Sequence, residues 1–132
     1  RPPPRPPRPP HDPYPTLFRS AMAYGAGREI IEQVAAENDR EIEEDHYGAL
    51  IPYSFGGVPD VLAALLRKRR PDMDDVTELV PSSWESLGAL IQQFIDVGTT
   101  KFVVLPMEEP HTVDEWTTHL EAAAQALLPL ET

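Results

Sequence analysis

Residues 82–105 read SSWESLGALIQQFIDVGTTKFVVL, and this stretch decides the fold. Apolar side chains recur there at helical spacing, namely Trp84, Leu87, Leu90, Ile91, Phe94 and Ile95. Ser82 predicts the helix start, because Glu85 follows three residues later as in a capping box. Gly98 is a natural helix terminator. The continuous apolar run Lys101–Leu105 then predicts a strand that is buried on both faces.

A second strand and three further helices flank this unit. Residues 47–53, YGALIPY, form another continuous apolar run and predict a second buried strand. Apolar spacing and end signals predict further helices, over residues 22–38, 59–70 and 113–128. Thr112 and Glu115 repeat the capping box before the last helix. Strands alternating with helices predict an α/β domain with a parallel sheet.

The apolar faces of the predicted helices need more strands to pack against than these two. Two parallel strands do not make a stable sheet, and each flanking helix has one strongly apolar face. The first helix carries its apolar face at Ile30, Ile31, Val34 and Ala35. We therefore expect residues 21–132 to be a fragment of a larger α/β domain, with partner strands upstream.

The composition bounds the class of protein. The chain has 132 residues, which is well short of the roughly 250 residues of a complete (β/α)₈ barrel. It has no cysteine, which excludes disulfides, cysteine-based metal sites and a cysteine nucleophile. A net charge of −11 disfavours nucleic acid and anionic membranes as partners. We expect a cytoplasmic location.

The first twenty residues differ chemically from the rest. They hold nine of the sixteen prolines and a net charge of +3, whereas residues 21–132 carry −14. The run RPPPRPPRPP at 1–10 predicts a disordered, polyproline II tail with no apolar face. Arg1, Pro4 and Pro7 also match the spacing of SH3-domain ligands. Residues 13–20, PYPTLFRS, resemble PYTTLFRS, a peptide that a common sequencing adapter encodes, and this favours an artefactual origin for the tract.

Residues 21–132 contain no complete catalytic pattern. The chain's four histidines, His11, His46, His111 and His119, show no metal-ligand spacing, so we interpret them as surface or boundary residues and expect no metal. Gly56 and Gly57 lie between a predicted strand and helix, where backbone N–H groups can bind phosphate, but a flexible turn explains them better. The chain lacks the G-x-S-x-G motif of a nucleophile elbow.

Several segments resemble the C-terminal end of the luciferase-like monooxygenase family. They are HYGALIPYSFGGVPD (46–60), RRPD (69–72), ELVPSSWESLGALIQQFIDVGTTKFVVLPM (78–107) and ALLPLET (126–132). The most specific part is a helix ending in FIDVG, followed by the strand TTKFVV. The resemblance spans essentially all of residues 21–132. It implies a partial (β/α)₈ (TIM) barrel in which 47–53 is strand seven and 101–105 is strand eight.

The resemblance also implies a function for the parent protein. The family uses FMN or a deazaflavin coenzyme for oxidoreductase or monooxygenase chemistry on a small-molecule substrate. Its principal catalytic and cofactor-binding residues lie on earlier strands, so this chain would be inactive alone. Barrel active sites lie at the carboxyl ends of the strands, which predicts that Tyr53, Ser54 and Met107 line the substrate side of the mouth. A homodimer is a further expectation.

An alternative function requires no parent enzyme. If the proline tract is genuine and the α/β part folds alone, the chain is a small non-catalytic interaction domain with a proline-rich docking arm. A genomic reading frame that runs continuously through residues 1–20 would favour this alternative.

Overall fold

Six main elements make up the part of the chain that a computed structural model describes, residues 20–131. They are α1 (Ala21–Glu37), β1 (Gly48–Tyr53), α2 (Asp60–Arg69), α3 (Trp84–Asp96), β2 (Lys101–Pro106) and α4 (Val113–Leu127). Single 3₁₀ turns lie at Glu44–His46, Val76–Leu79 and Leu128–Leu130. The predicted polyproline II conformation and disordered tail fall on residues 1–19, outside the described residues.

The two strands pair directly and run parallel. The register places Gly48 opposite Lys101 and Tyr53 opposite Pro106. The connection between the strands passes through α2 and α3. The predicted class, a mixed α/β domain with a parallel sheet, is therefore confirmed, and the sheet has two strands within residues 20–131.

One face of the sheet carries the main core. Side chains of β1 and α3 meet there and are almost fully buried, namely Ala49, Ile51, Tyr53, Leu87, Ile91 and Phe94. Phe102 and Val104 of β2 pack against the same cluster. The apolar stripe predicted for α3 therefore covers this face of the sheet.

The opposite face of the sheet is only partly covered. Leu50 of β1 pairs with Val103 of β2, and Pro52 pairs with Leu105. Pro52 is buried, but Val103 is 55% exposed and Leu105 is 42% exposed. Burial on both faces was the expectation for β2, and it is wrong for this strand within residues 20–131. Within residues 20–131, these two side chains therefore remain substantially exposed.

The helix ends agree with the sequence signals, with one correction. The N-cap of α3 is Ser83, whose side chain accepts a hydrogen bond from the Ser86 N–H at 3.0 Å. Ser86 reciprocates, so the predicted pair Ser82 and Glu85 is wrong by one residue. A serine hydroxyl can serve both as the N-cap side chain and as the side chain that bonds back to the N-cap N–H. Because Ser82, Ser83 and Ser86 are all serines, the sequence alone did not single out Ser83 as the N-cap. Gly98 follows the helix with φ +95°, which confirms its role as terminator.

The start of α4 confirms the second predicted capping box. The Glu115 N–H donates to Thr112 Oγ1 at 3.2 Å, and the Thr112 N–H donates to the Glu115 carboxylate at 3.2 Å. The Glu115 carboxylate also accepts a hydrogen bond from the His111 N–H at 2.7 Å, and the hydrogen bonds from the His111 and Thr112 N–H groups lower the pKa of this carboxyl. The ionised carboxylate therefore stabilises the first turn of α4.

The α1 helix contacts the rest of the fold through Tyr24 and Arg28. The Tyr24 ring meets Phe94 edge to face at 5.6 Å, and its hydroxyl donates to the Gly48 carbonyl at 3.1 Å. Arg28 lies over the Tyr47 ring at 4.0 Å, so it ties α1 to the amino end of β1. The predicted apolar stripe at Ile30, Ile31 and Val34 is consequently left exposed.

A second, smaller core lies under α2. Leu66 packs there with Val76 and Val80, and all three side chains are almost fully buried. The outer side of α2 presents Val61 and Leu65 to solvent. Of the leucines and valine at helical spacing on α2, Leu62 and Leu66 therefore face this core, whereas Val61 and Leu65 are exposed.

Within residues 20–131, no helix combines the length and the apolar composition needed to cross a membrane.

Candidate functional site

The carboxyl ends of β1 and β2 bring the three predicted site residues together. Tyr53 is the last residue of β1, and its carbonyl accepts a hydrogen bond from the Met107 N–H at 2.8 Å. Ser54 follows directly and is almost fully buried. Parallel α/β folds place their sites at this edge of the sheet. The substrate role of the three residues stays a prediction.

The Tyr53 side chain points to the helix-covered face and meets a histidine. Tyr53 is only 3% exposed. Its hydroxyl lies 2.6 Å from Nε2 of His119, which belongs to α4. The two rings lie almost parallel, 5° apart in orientation, with their centroids separated by 5.8 Å. His119 is therefore a structural partner of Tyr53 rather than the plain surface or boundary residue expected from the sequence.

Three more aromatic rings surround this pair. Phe55 meets Trp84 edge to face at 4.7 Å, and Trp84 lies 5.1 Å from His119. Trp116, one turn before His119 on α4, lies 6.1 Å from the histidine ring. We call Tyr53, Phe55, Trp84, Trp116 and His119 the aromatic cluster. It joins β1, the loop after β1, α3 and α4 at the carboxyl edge of the sheet.

Burial sets the protonation of the tyrosine in this cluster. Loss of hydration raises the pKa of the Tyr53 phenol, because burial disfavours the phenolate. The phenol therefore stays protonated and can donate to His119. Donation to Nε2 requires the tautomer with its proton on Nδ1.

The glycine turn after β1 does not form a phosphate site. Ser54 Oγ donates to the Gly57 carbonyl, and Gly57 has φ +100°, so the turn is held by its own hydrogen bond. The Glu108 carboxylate lies against Gly56, in the space that a Cβ would need. Its negative charge opposes an anion at this position. A turn therefore explains these two glycines better than a phosphate site, and this turn does not fit the phosphate of a flavin coenzyme.

A group of potential metal ligands lies at the other end of the sheet. Within residues 20–131, Glu43, Asp45 and His46 bring ligand atoms within 4.8 Å of one another. All three side chains are exposed, next to the 3₁₀ turn before the amino end of β1. Exposed acidic side chains often lie together without an ion, so this grouping does not define a metal centre.

The geometry therefore defines an α/β unit with an aromatic cluster at the carboxyl edge of a parallel sheet. Comparison with protein-family models, with curated proteins and with solved structures finds no match to this chain. The class of fold thus rests on the structure. The luciferase-like resemblance rests on the sequence segments alone.

One signal in the sequence could have located His119. It lies three residues after Trp116, so both side chains fall on one face of α4. Trp116 shares helical spacing with Leu120 and Leu127, so a histidine beside this apolar stripe has an apolar neighbourhood. Its partner Tyr53 is 66 residues away in sequence, so no local pattern could have named it.

Proposed function

We propose that this chain is the C-terminal part of a luciferase-like (β/α)₈ barrel, in a flavin- or deazaflavin-dependent oxidoreductase that acts on a small-molecule substrate. The observation that carries the proposal is the asymmetry of the sheet. The α3 helix covers one face, while Val103 and Leu105 expose branched apolar side chains on the other. In such barrels the helices cover the outer face, and branched side chains fill the interior.

The space around β2 supports the same proposal. A cavity of about 790 Å³ lies beside β2 and the ends of α3 and α4. Its apolar lining includes Ile91, Ile95, Phe102, Val104, Leu127 and Leu130. Further strands and helices of a barrel would bring side chains into such a cavity. By the resemblance, β1 is then strand seven and β2 is strand eight.

The site indicates which roles the coenzyme and this chain would have in the proposed enzyme. The coenzyme supplies the redox chemistry, and by the resemblance the residues that bind it lie on earlier strands. Tyr53, Ser54 and Met107 lie at the carboxyl ends of the strands. The Tyr53 side chain faces the helices, so in this proposal Ser54 and Met107 are the two that line the substrate side of the mouth. The aromatic cluster holds the loop after β1 against α3 and α4. The chain by itself is inactive in this proposal.

Dye binding to the exposed sheet face tests the proposal. An apolar fluorescent dye should bind the full 132-residue chain, and Val103→Lys with Leu105→Lys should reduce the signal severalfold. Both side chains are substantially exposed, so the double variant should still fold. Val113→Lys with Leu128→Lys is the matched control, because these exposed apolar residues lie outside the sheet. Equal dye signals in both variants would argue against an uncovered barrel interior.

Titration with FMN and with a deazaflavin coenzyme completes this experiment. The chain alone should show no saturable change in coenzyme fluorescence, because the proposal places the coenzyme-binding residues on earlier strands. A monodisperse, cooperatively melting chain that binds either coenzyme would overturn the proposal of an incomplete barrel.

A further inference from the structure

The aromatic cluster at the carboxyl edge of the sheet is open to solvent on one side. Phe55 is 39% exposed, and Trp84, Trp116 and His119 are each only partly buried. Phe55 and Trp84 meet edge to face at 4.7 Å, and in such a pair only one ring has a face occupied by the other. The cluster therefore offers partly exposed aromatic rings at the edge where parallel α/β folds place their sites.

One carboxylate lies beside these rings. The Glu108 carboxylate packs against Gly56, the residue that directly follows Phe55. Glu108 is exposed, and within residues 20–131 its carboxylate forms no hydrogen bond or ion pair. Glu108 therefore brings an unpaired negative charge to the edge of the aromatic cluster, where it attracts a cation and repels an anion.

The charge of the surrounding elements has the same sign. Residues 71–132, which include α3, β2 and α4, hold twelve acidic side chains and a single Lys or Arg, Lys101. Lys101 begins β2, so the length of the strand puts it about 17 Å from the carboxyl edge. The basic run at 67–70 ends α2, and one of its members, Arg70, pairs with Asp72 at 2.8 Å. The summed field of these elements therefore favours the approach of cations.

Aromatic rings beside a carboxylate select an organic cation over a metal ion. Ammonium groups are attracted to the faces of Trp, Tyr and Phe rings, most strongly to Trp. Mg²⁺ and Ca²⁺ require several oxygen ligands, and in residues 20–131 no group of three potential ligands lies at this edge. We propose that Glu108 and the rings of Phe55 and Trp84 bind the ammonium group of an organic cation. The site belongs to the described chain, so it does not rest on the proposed enzymatic function.

Tryptophan fluorescence reports on this site directly. The chain has two tryptophans, Trp84 and Trp116, and both belong to the aromatic cluster. Titration of the full chain with choline at constant ionic strength should give a saturable fluorescence change in the millimolar range, because the site is open on one side. The uncharged analogue of choline, in which carbon replaces nitrogen, is the matched ligand control and should bind about tenfold more weakly. No saturable change with choline, or an equal affinity for the analogue, would overturn the proposal.

Substitutions test the roles of the carboxylate and the ring. Glu108→Gln should weaken choline binding about fivefold, because it removes the charge at nearly constant size. Glu121→Gln is the matched control and should bind as the wild type does, since Glu121 is exposed and lies two residues after His119, about 200° around α4. Phe55→Leu should weaken binding about threefold through loss of one ring.

The Glu108 variant decides the outcome of this series. Glu108 is exposed, so its replacement should leave the circular dichroism spectrum unchanged even if Phe55→Leu perturbs the fold. Equal choline binding by Glu108→Gln and Glu121→Gln would show that Glu108 holds no cation, and the proposal would fall.

A peptide that contains trimethyllysine distinguishes two sources of the ammonium group. Tighter binding of this peptide than of choline, lost in Glu108→Gln, would identify a protein side chain as the ligand. Binding of choline at least as tight as that of the peptide would identify a small molecule. Either result supports the site, whereas failure of both probes to bind contradicts it.

Discussion

Tyr53 belongs to both the core and the candidate site. Its ring lies in the buried cluster on the same face of β1 as Ala49 and Ile51, and its hydroxyl forms a hydrogen bond with His119 of α4. The hydrogen bond therefore fixes α4 against the carboxyl edge of the sheet. Through this contact the candidate site depends on the packing of α4 against the sheet.

The titration of Tyr53 gives a stability prediction with a definite sign. Its pKa is raised in the folded state, whereas tyrosine in an unfolded chain titrates at about pH 10. The stability that comes from the protonated phenol is therefore complete below about pH 10 and falls as the pH rises through the folded-state pKa.

Urea unfolding of the wild type and Tyr53→Phe measures this effect. At about pH 8 the variant should be less stable by about 0.5–1.5 kcal/mol, the usual cost of one lost hydrogen bond. Between about pH 8 and pH 11 the wild type should lose more stability than the variant. Tyr47, whose pKa burial also raises, is present in both proteins and cancels in the comparison. An equal loss in the two proteins would contradict burial of the Tyr53 phenol.

Single residues were predicted from the sequence only where a local rule applies. Gly98 was found because a helix end favours glycine at positive φ, and Leu87 and Phe94 because helical spacing marks the buried face. The contact between Tyr53 and His119 obeys no local rule. It exists because the sheet, α3 and α4 converge at one edge.

At the scale of elements, the capping box of α3 gives the sharpest prediction. Ser83 and Ser86 exchange hydrogen bonds at the first turn, and these satisfy N–H groups that have no partner inside the helix. Ser83→Ala should therefore lower the free energy of unfolding by about 0.5–2 kcal/mol.

Ser82→Ala is the matched control for this prediction. Only the backbone N–H of Ser82 contacts Ser86, at 3.2 Å, so loss of the Ser82 hydroxyl should change stability little. Comparing the thermal unfolding of the two variants shows which of the two serines caps the helix. A larger effect at Ser82 than at Ser83 would place the helix start where the sequence pattern put it.

The elements themselves were largely predictable. Both strands and the four helices lie within about two residues of their predicted bounds, because apolar runs and end signals act locally. Which face of each element is buried was not predictable in the same way. The α1 helix docks through Tyr24 and Arg28 rather than through its aliphatic stripe, since these longer side chains reach Phe94 and Tyr47.

For the whole molecule, the uncovered surfaces fall into two groups. One is the sheet face at Val103 and Leu105, which the proposed barrel would enclose. The other comprises the outer stripes of α1 and α2, at Ile30, Val34, Val61 and Leu65.

The most direct test of the central claim, that residues 21–132 belong to a larger barrel, is the DNA of the source upstream of codon 21. We expect adapter-derived nucleotides in the tract, and an authentic reading frame that continues upstream into further strand–helix units. A continuous genomic frame with a start codon just before residue 1 would contradict the account. The chain would then be the small interaction domain with a proline-rich arm.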